Sequence, residues 1–137
     1  MEKELNITGI VAFNFKILIA EDNDLNFILL NELFAQSGIQ IIRANNGFEA
    51  LQMSNDNFDL ILMDIHMPIM DGLEATREIK KLHPTMPIIA ITGYVYNEDI
   101  KKCTDAGCDG FIPKPVNFEK LFGMVNLLIE KKSLIVA

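Results

Sequence analysis

The sequence has only two cysteines, Cys103 and Cys108, too few for the disulfide framework of a small secreted domain. Their spacing is not that of a redox or zinc pair, and packing accounts for both. Histidine is as scarce: only His66 and His83 occur, the latter near the far end of the third expected helix, which argues against a paired zinc site. No apolar run reaches the roughly 18–20 residues that a membrane span requires. The opening Met1-Glu2-Lys3-Glu4 lacks the basic cap and apolar stretch of a signal peptide. Basic residues are outnumbered, 12 against 19 acidic, and the formal charge of −7 argues against nucleic acid as a direct partner. Disorder is excluded too, since half of the residues are hydrophobic. What remains is one domain of 137 residues, long enough for its own core and expected in a reducing, cytoplasmic compartment.

Five short apolar runs recur along the chain, at 15–20, 39–42, 59–63, 87–92 and 110–113. Runs so rich in Ile, Leu and Val predict strands buried on both faces of a parallel sheet. Segments of helical period separate them. The clearest places Phe118, Leu121, Phe122, Val125, Leu128 and Ile129 on one stripe, with Asn117 as a candidate N-cap. Five strands alternating with five helices predict an open α/β sheet with right-handed crossovers. Residues 1–14 read as an N-terminal arm or linker, although Ile7, Gly9, Val11 and Phe13 alternate as an extra strand or docking segment would. The domain proper is expected over 15–130, and 131–137 as a tail that extends the last helix or lies beside it. In the first helix Leu25, Leu29 and Leu33, with Ile28, read as the sheet-facing stripe. Phe27, Leu30 and Phe34 form a second stripe, read either as an exposed docking surface or as covered by the rest of the domain.

Ligands of such sheets bind beyond the carboxyl ends of the strands. The first strand delivers Glu21 and Asp22 there, the third Asp64, the fourth Thr92 and Gly93, and the fifth Lys114. Three carboxylates in one pocket repel one another unless a cation neutralises them, and Mg²⁺ is a hard cation suited to oxygen ligands. A lysine beside them suits phosphate oxygens, a threonine adds a hydrogen bond, and a glycine permits close backbone approach. This set favours phosphoryl transfer onto a carboxylate.

The stretches Ile19-Ala20-Glu21-Asp22-Asn23, Met63-Asp64-Ile65-His66-Met67-Pro68-Ile69-Met70-Asp71-Gly72, Ile91-Thr92-Gly93 and Phe111-Ile112-Pro113-Lys114-Pro115 closely resemble the receiver domain of two-component response regulators. The match covers about residues 15–130, with every motif in order, and the wording looks most like receivers of hybrid sensor histidine kinases. The resemblance implies a flavodoxin-like, doubly wound sheet of strand order 2-1-3-4-5. It implies Asp64 as phosphoacceptor, Lys114 and Thr92 on the phosphoryl group, and Mg²⁺ (or Mn²⁺) on Asp22, Asp64, the His66 carbonyl and, mostly through water, Glu21. It further implies Phe111 as a switch aromatic, His66 and Tyr94 as bulky residues that tune phosphoryl lifetime, and a cis Lys114–Pro115 bond. The partners implied are a histidine kinase or a histidine phosphotransfer domain, with a dimer face on the fourth helix, fifth strand and fifth helix. Such a domain is a self-catalysed switch rather than a turnover enzyme.

Rival readings fit less well. A haloacid dehalogenase phosphatase needs a second acid two residues after the nucleophile, where this chain has His66. A flavin domain needs a hydroxyl- and glycine-rich loop after the first strand, where Glu21 and Asp22 would repel phosphate. A phosphorylation-independent scaffold would not need every pocket residue intact.

Overall fold

The computed structural model describes residues 15–35, 38–93 and 97–136. Its elements follow in strict alternation: β1 (Lys16–Ala20), α1 (Asp24–Ala35), β2 (Gln40–Ala44), α2 (Gly47–Met53), β3 (Leu60–Asp64), α3 (Gly72–Leu82), β4 (Ile88–Thr92), α4 (Asn97–Ala106), β5 (Gly110–Pro113) and α5 (Phe118–Val136). The strands form one parallel sheet in the order β2-β1-β3-β4-β5, as the sequence implies. Ile17 lies opposite both Ile41 and Leu60, Ile61 opposite Ile88, and Ile89 opposite Gly110. All strand carboxyl ends therefore share one edge.

The sheet's central strands explain the apolar runs. Every residue of β3 and β4 is buried, whereas the edge strand β2 is buried only at Ala44. On one face Ile17, Ile19, Leu62 and Ile91 pack with Phe34 of α1 and Leu121 and Val125 of α5. The Phe34 and Phe122 rings meet edge to face at 5.8 Å, locking those two helices together. On the other face Leu18, Ile61, Met63 and Ile88 lie beneath Ala50 of α2 and Ala75 and Ile79 of α3. Polar side chains fix where helices start. Asn46, Asp71 and Asn117 accept the backbone N–H groups of Glu49, Glu74 and Lys120, satisfying donors that a helix start leaves unpaired.

On α1 the second stripe is covered by the rest of the domain, and of the stripe expected to face the sheet only Leu33 packs on the core. Leu30 and Phe34 are buried and Phe27 is half-buried against the core, while Leu25, Ile28 and Leu29 are 64%, 52% and 54% exposed. Phe27, Leu30 and Phe34 thus anchor the helix and cannot form an exposed docking stripe. Apolar residues surround most of this helix, so periodicity alone does not fix its rotation; the aromatic rings go inward because they remove the most surface from water.

Cys103 and Cys108 are free thiols beside Ala90 and Phe111. Burial pushes the Cys103 thiol up and that of Cys108 to about 12, which leaves both as inert packing groups. The helix α5 runs on through 131–136, the segment expected as a tail. The 1–14 arm and Tyr94 lie outside the described residues. Among the described residues no helix is long and apolar enough to cross a membrane.

Candidate functional site

Parallel topology gathers the expected site. Asp64 is the last residue of β3 and Thr92 the last of β4; Glu21 and Asp22 follow β1, and Lys114 follows β5. One carboxylate oxygen from each of Glu21, Asp22 and Asp64 lies within 4.8 Å of the others. The Lys114 ammonium stands between two of these acids, with Nζ 3.4 Å from Asp64 Oδ2 and 3.6 Å from Glu21 Oε1. Thr92 is buried beside them at the sheet edge, and the Lys114 N–H donates to its carbonyl at 2.7 Å. The Lys114–Pro115 peptide is cis.

The electrostatics are unbalanced. Glu21 and Asp64 are 2% and 4% exposed, while Asp22 faces solvent. Neither carboxylate oxygen of Glu21 has a hydrogen-bond partner among the described residues. Burial, and after it the neighbouring Asp64 carboxylate, push Glu21 from its ordinary 4.5 up to about 8. A buried carboxyl group that accepts no hydrogen bond and has only the Lys114 ammonium at 3.6 Å, beside two more acids, fits a hard divalent cation with oxygen ligands.

The loop between β3 and α3 is pinned from both sides. The His66 N–H donates to Asp64 Oδ1 at 3.2 Å, while the His66 side chain is exposed. Gly72 donates to the Ile65 carbonyl, and a Cβ there would lie 2.2 Å from the Asp64 carbonyl oxygen. Gly47, at the start of α2, likewise donates to the Met70 carbonyl, which a Cβ would meet at 2.2 Å. Between these pins Ile69 takes φ 73° and is 82% exposed. Phe111 is half-buried against Ile65, Ala90 and Cys103. Among the described residues, its chain neighbours aside, no atom lies within 4 Å of where a Gly93 side chain would start.

A cavity of about 210 Å³ opens from the acids toward α1 and α5. Glu21, Asp64 and Lys114 form its polar end; Leu29, Pro115, Val116 and Phe118 are among its apolar walls. Sequence reasoning missed one residue nearby. Arg43 of β2 donates from Nε to the Glu21 carbonyl at 3.1 Å and pairs with Asp24 at 2.8 Å. No local motif marks it, because its contacts depend on the β1–β2 register and on the rotation of α1.

An open parallel sheet with three acids, a lysine and a threonine at its carboxyl edge defines a phosphoacceptor-type α/β domain. Residues 17–126 match the response regulator receiver domain, and the chain belongs to that family. It is 41% identical over 117 residues to hybrid signal transduction histidine kinase G of Dictyostelium discoideum, covering 81% of this chain and 3% of that protein. It is 39% identical over 105 residues to a cyclic di-GMP phosphodiesterase of Thermotoga maritima, covering 77% of this chain and 28% of that protein. The chain therefore spans a small part of these relatives. The polar-differentiation response regulator DivK of Brucella anthropi is 38% identical over 104 residues, covering 74% of this chain and 85% of DivK. Among solved structures, the receiver domain of a sensor histidine kinase from Pseudomonas aeruginosa, with magnesium coordinated in its active-site cleft, superposes with a TM-score of 0.78 at 29% identity. That superposition covers 85% of this chain and 98% of the other.

Proposed function

We propose that this receiver takes a phosphoryl group from a phosphohistidine onto Asp64. The N–P bond of the donor breaks as an Asp64 Oδ–P bond forms, and the donor imidazole leaves with the electron pair. The observation that carries this reading is the Lys114 ammonium set between Asp64 and Glu21 within a cluster of three carboxylates. Lys114 neutralises phosphoryl oxygens and Thr92 donates a hydrogen bond to one of them. Asp22, Asp64 and the His66 carbonyl, with Glu21 mostly through water, would hold Mg²⁺ or its substitute Mn²⁺; the ion would supply charge neutralisation for the transferring group. Phe111 reports the change at Thr92 to the α4–β5–α5 face, which also serves as the dimer face. His66 and Tyr94 shield the acyl phosphate from water. The domain is a switch of the cytoplasm rather than a turnover enzyme.

The donor is a histidine kinase or histidine phosphotransfer domain. It docks on the exposed Leu25, Ile28 and Leu29 face of α1, which borders the cavity through Leu29. The likeness to hybrid kinases favours a place within such a kinase. The coverage of 85% of DivK favours a second reading, a single-domain regulator.

Acetyl phosphate with Mg²⁺ should add one phosphoryl group by intact mass, and Asp64→Asn should add none. Modification that persists in Asp64→Asn would overturn the assignment. For the docking face, Leu29→Ala should slow transfer from a phosphohistidine donor roughly tenfold, as loss of a central contact does. Acetyl phosphate labelling of the same variant should be unchanged.

A further inference from the structure

Arg43 is the one cation, among those described, whose contacts gather the metal-bearing loop, the first turn of α1 and the edge strand in one place. Its Nε–H donates to the main-chain carbonyl of Glu21 at 3.1 Å. Its Nη1 pairs at 2.8 Å with Asp24, the first residue of α1. Its guanidinium carbon stands 4.8 Å from the centroid of the Phe27 ring, one turn further along the same helix. Strand alternation puts Arg43 on the side of Ile41, the face covered by α1, and β-pairing sets it opposite Ile19, two residues before Glu21.

We infer that Arg43 is a positioning residue of the metal site: its side chain fixes the β1–α1 loop so that the Glu21 and Asp22 carboxylates converge on Asp64. The need for such a brace follows from the charges. Without a divalent cation the Asp22 and Asp64 carboxylates repel each other, and Asp22, being exposed, is drawn toward water. A backbone hydrogen bond at Glu21 and an ion pair at Asp24 hold the loop on both sides of Asp22. The guanidinium suits this because its planar fork donates in fixed directions while its face lies over a ring, whereas a lysine ammonium is a compact charge on a flexible stem without that fixed geometry. Arg43 does not touch the reacting groups; it acts through the ligands. As a positive charge near a cation site it opposes Mg²⁺, so its net effect depends on geometry outweighing repulsion.

That opposition makes the inference testable, and it rests on the metal-binding reading above. Titration calorimetry of the full chain with MgCl₂ measures the dissociation constant directly, alongside the melting temperature and the Mg²⁺ dependence of acetyl phosphate labelling. Arg43→Lys keeps the charge and loses the fork; it should weaken Mg²⁺ binding roughly tenfold, the size seen when a partner behind a metal ligand is removed. The half-saturating Mg²⁺ for labelling should rise in parallel, with the rate at saturating Mg²⁺ changed by less than about twofold. A lower melting temperature with an unchanged Mg²⁺ constant would make Arg43 merely structural and overturn the inference. Tighter Mg²⁺ binding would also overturn it, since repulsion would then be the larger effect. If Arg43→Lys does not fold, Arg43→Gln removes the charge and the fork together, and lost repulsion alone would tighten Mg²⁺ binding. Weaker Mg²⁺ binding in that variant supports the brace, and an unchanged or tighter constant overturns it. Failure of the unaltered chain to bind Mg²⁺ would instead remove the reading of the site itself.

Discussion

The two edges of the sheet carry the same kind of side chain in opposite states. At the amino edge each acid has a partner. Asp59 accepts the Lys16 N–H, and Asp109 accepts both the Ile88 N–H and the Lys80 ammonium. Asp56 meets His83 at 3.0 Å. At the carboxyl edge three acids crowd together, and the most buried of them has unmet acceptors. Carboxylates at the first edge close the fold, and those at the second are held ready for a ligand. The difference shows that an acid is informative through what it lacks: the exposed or part-buried amino-edge acids are explained by their partners, whereas buried Glu21 accepts no hydrogen bond and has only the Lys114 ammonium at 3.6 Å.

Substitutions at the two edges should therefore separate activity from stability. The largest effect is expected at Asp64, where asparagine removes the acceptor oxygen and labelling by acetyl phosphate should be lost outright by intact mass. Glu21→Gln comes next. In the unaltered, metal-free protein Glu21 keeps its proton up to about pH 8, whereas in the unfolded chain it loses it near 4.5. The folded state then binds the extra proton, so this group's contribution to stability falls as pH rises from about 4.5 to about 8. Thermal unfolding across that range should show the decline, Mg²⁺ should reverse it, and Glu21→Gln should flatten it while weakening Mg²⁺ binding roughly tenfold.

At the amino edge the pattern should invert. Asp109→Ala orphans the Ile88 N–H and the half-buried Lys80, a loss of about 2 kcal/mol by denaturant unfolding. Its labelling rate should be unchanged. Asp56→Asn should be the mildest, within about 0.5 kcal/mol, because Asp56 is 88% exposed and its pair with His83 is screened by water. A labelling defect in either amino-edge variant would break the contrast between the edges.

The same contrast explains how far the sequence could be read. Strands and their order follow from apolar runs and alternation with helices, and the convergence of Asp64, Thr92 and Lys114 follows from parallel strands sharing one edge. The rotation of α1 was not legible, because Leu25, Ile28 and Leu29 are as apolar as Leu30, Leu33 and Phe34. Nor was Arg43, whose role exists only once β2 is paired in register with β1 and Phe27 has turned toward it. Local pattern encodes which face of a strand is apolar; it does not encode which of two apolar helix faces wins the core.

Ile69 carries a last consequence. A β-branched residue at φ 73° costs about 1 kcal/mol relative to the right-handed region, and the next residue, Met70, accepts the Gly47 N–H while Gly72 closes the loop onto Ile65. The Met70 N–H donates to the Pro68 carbonyl at 2.8 Å across Ile69, so a rearrangement that returns Ile69 to negative φ relieves the backbone cost and gives up this bond. The shape of the loop behind the acceptor is thus a balance of two small and opposed local effects.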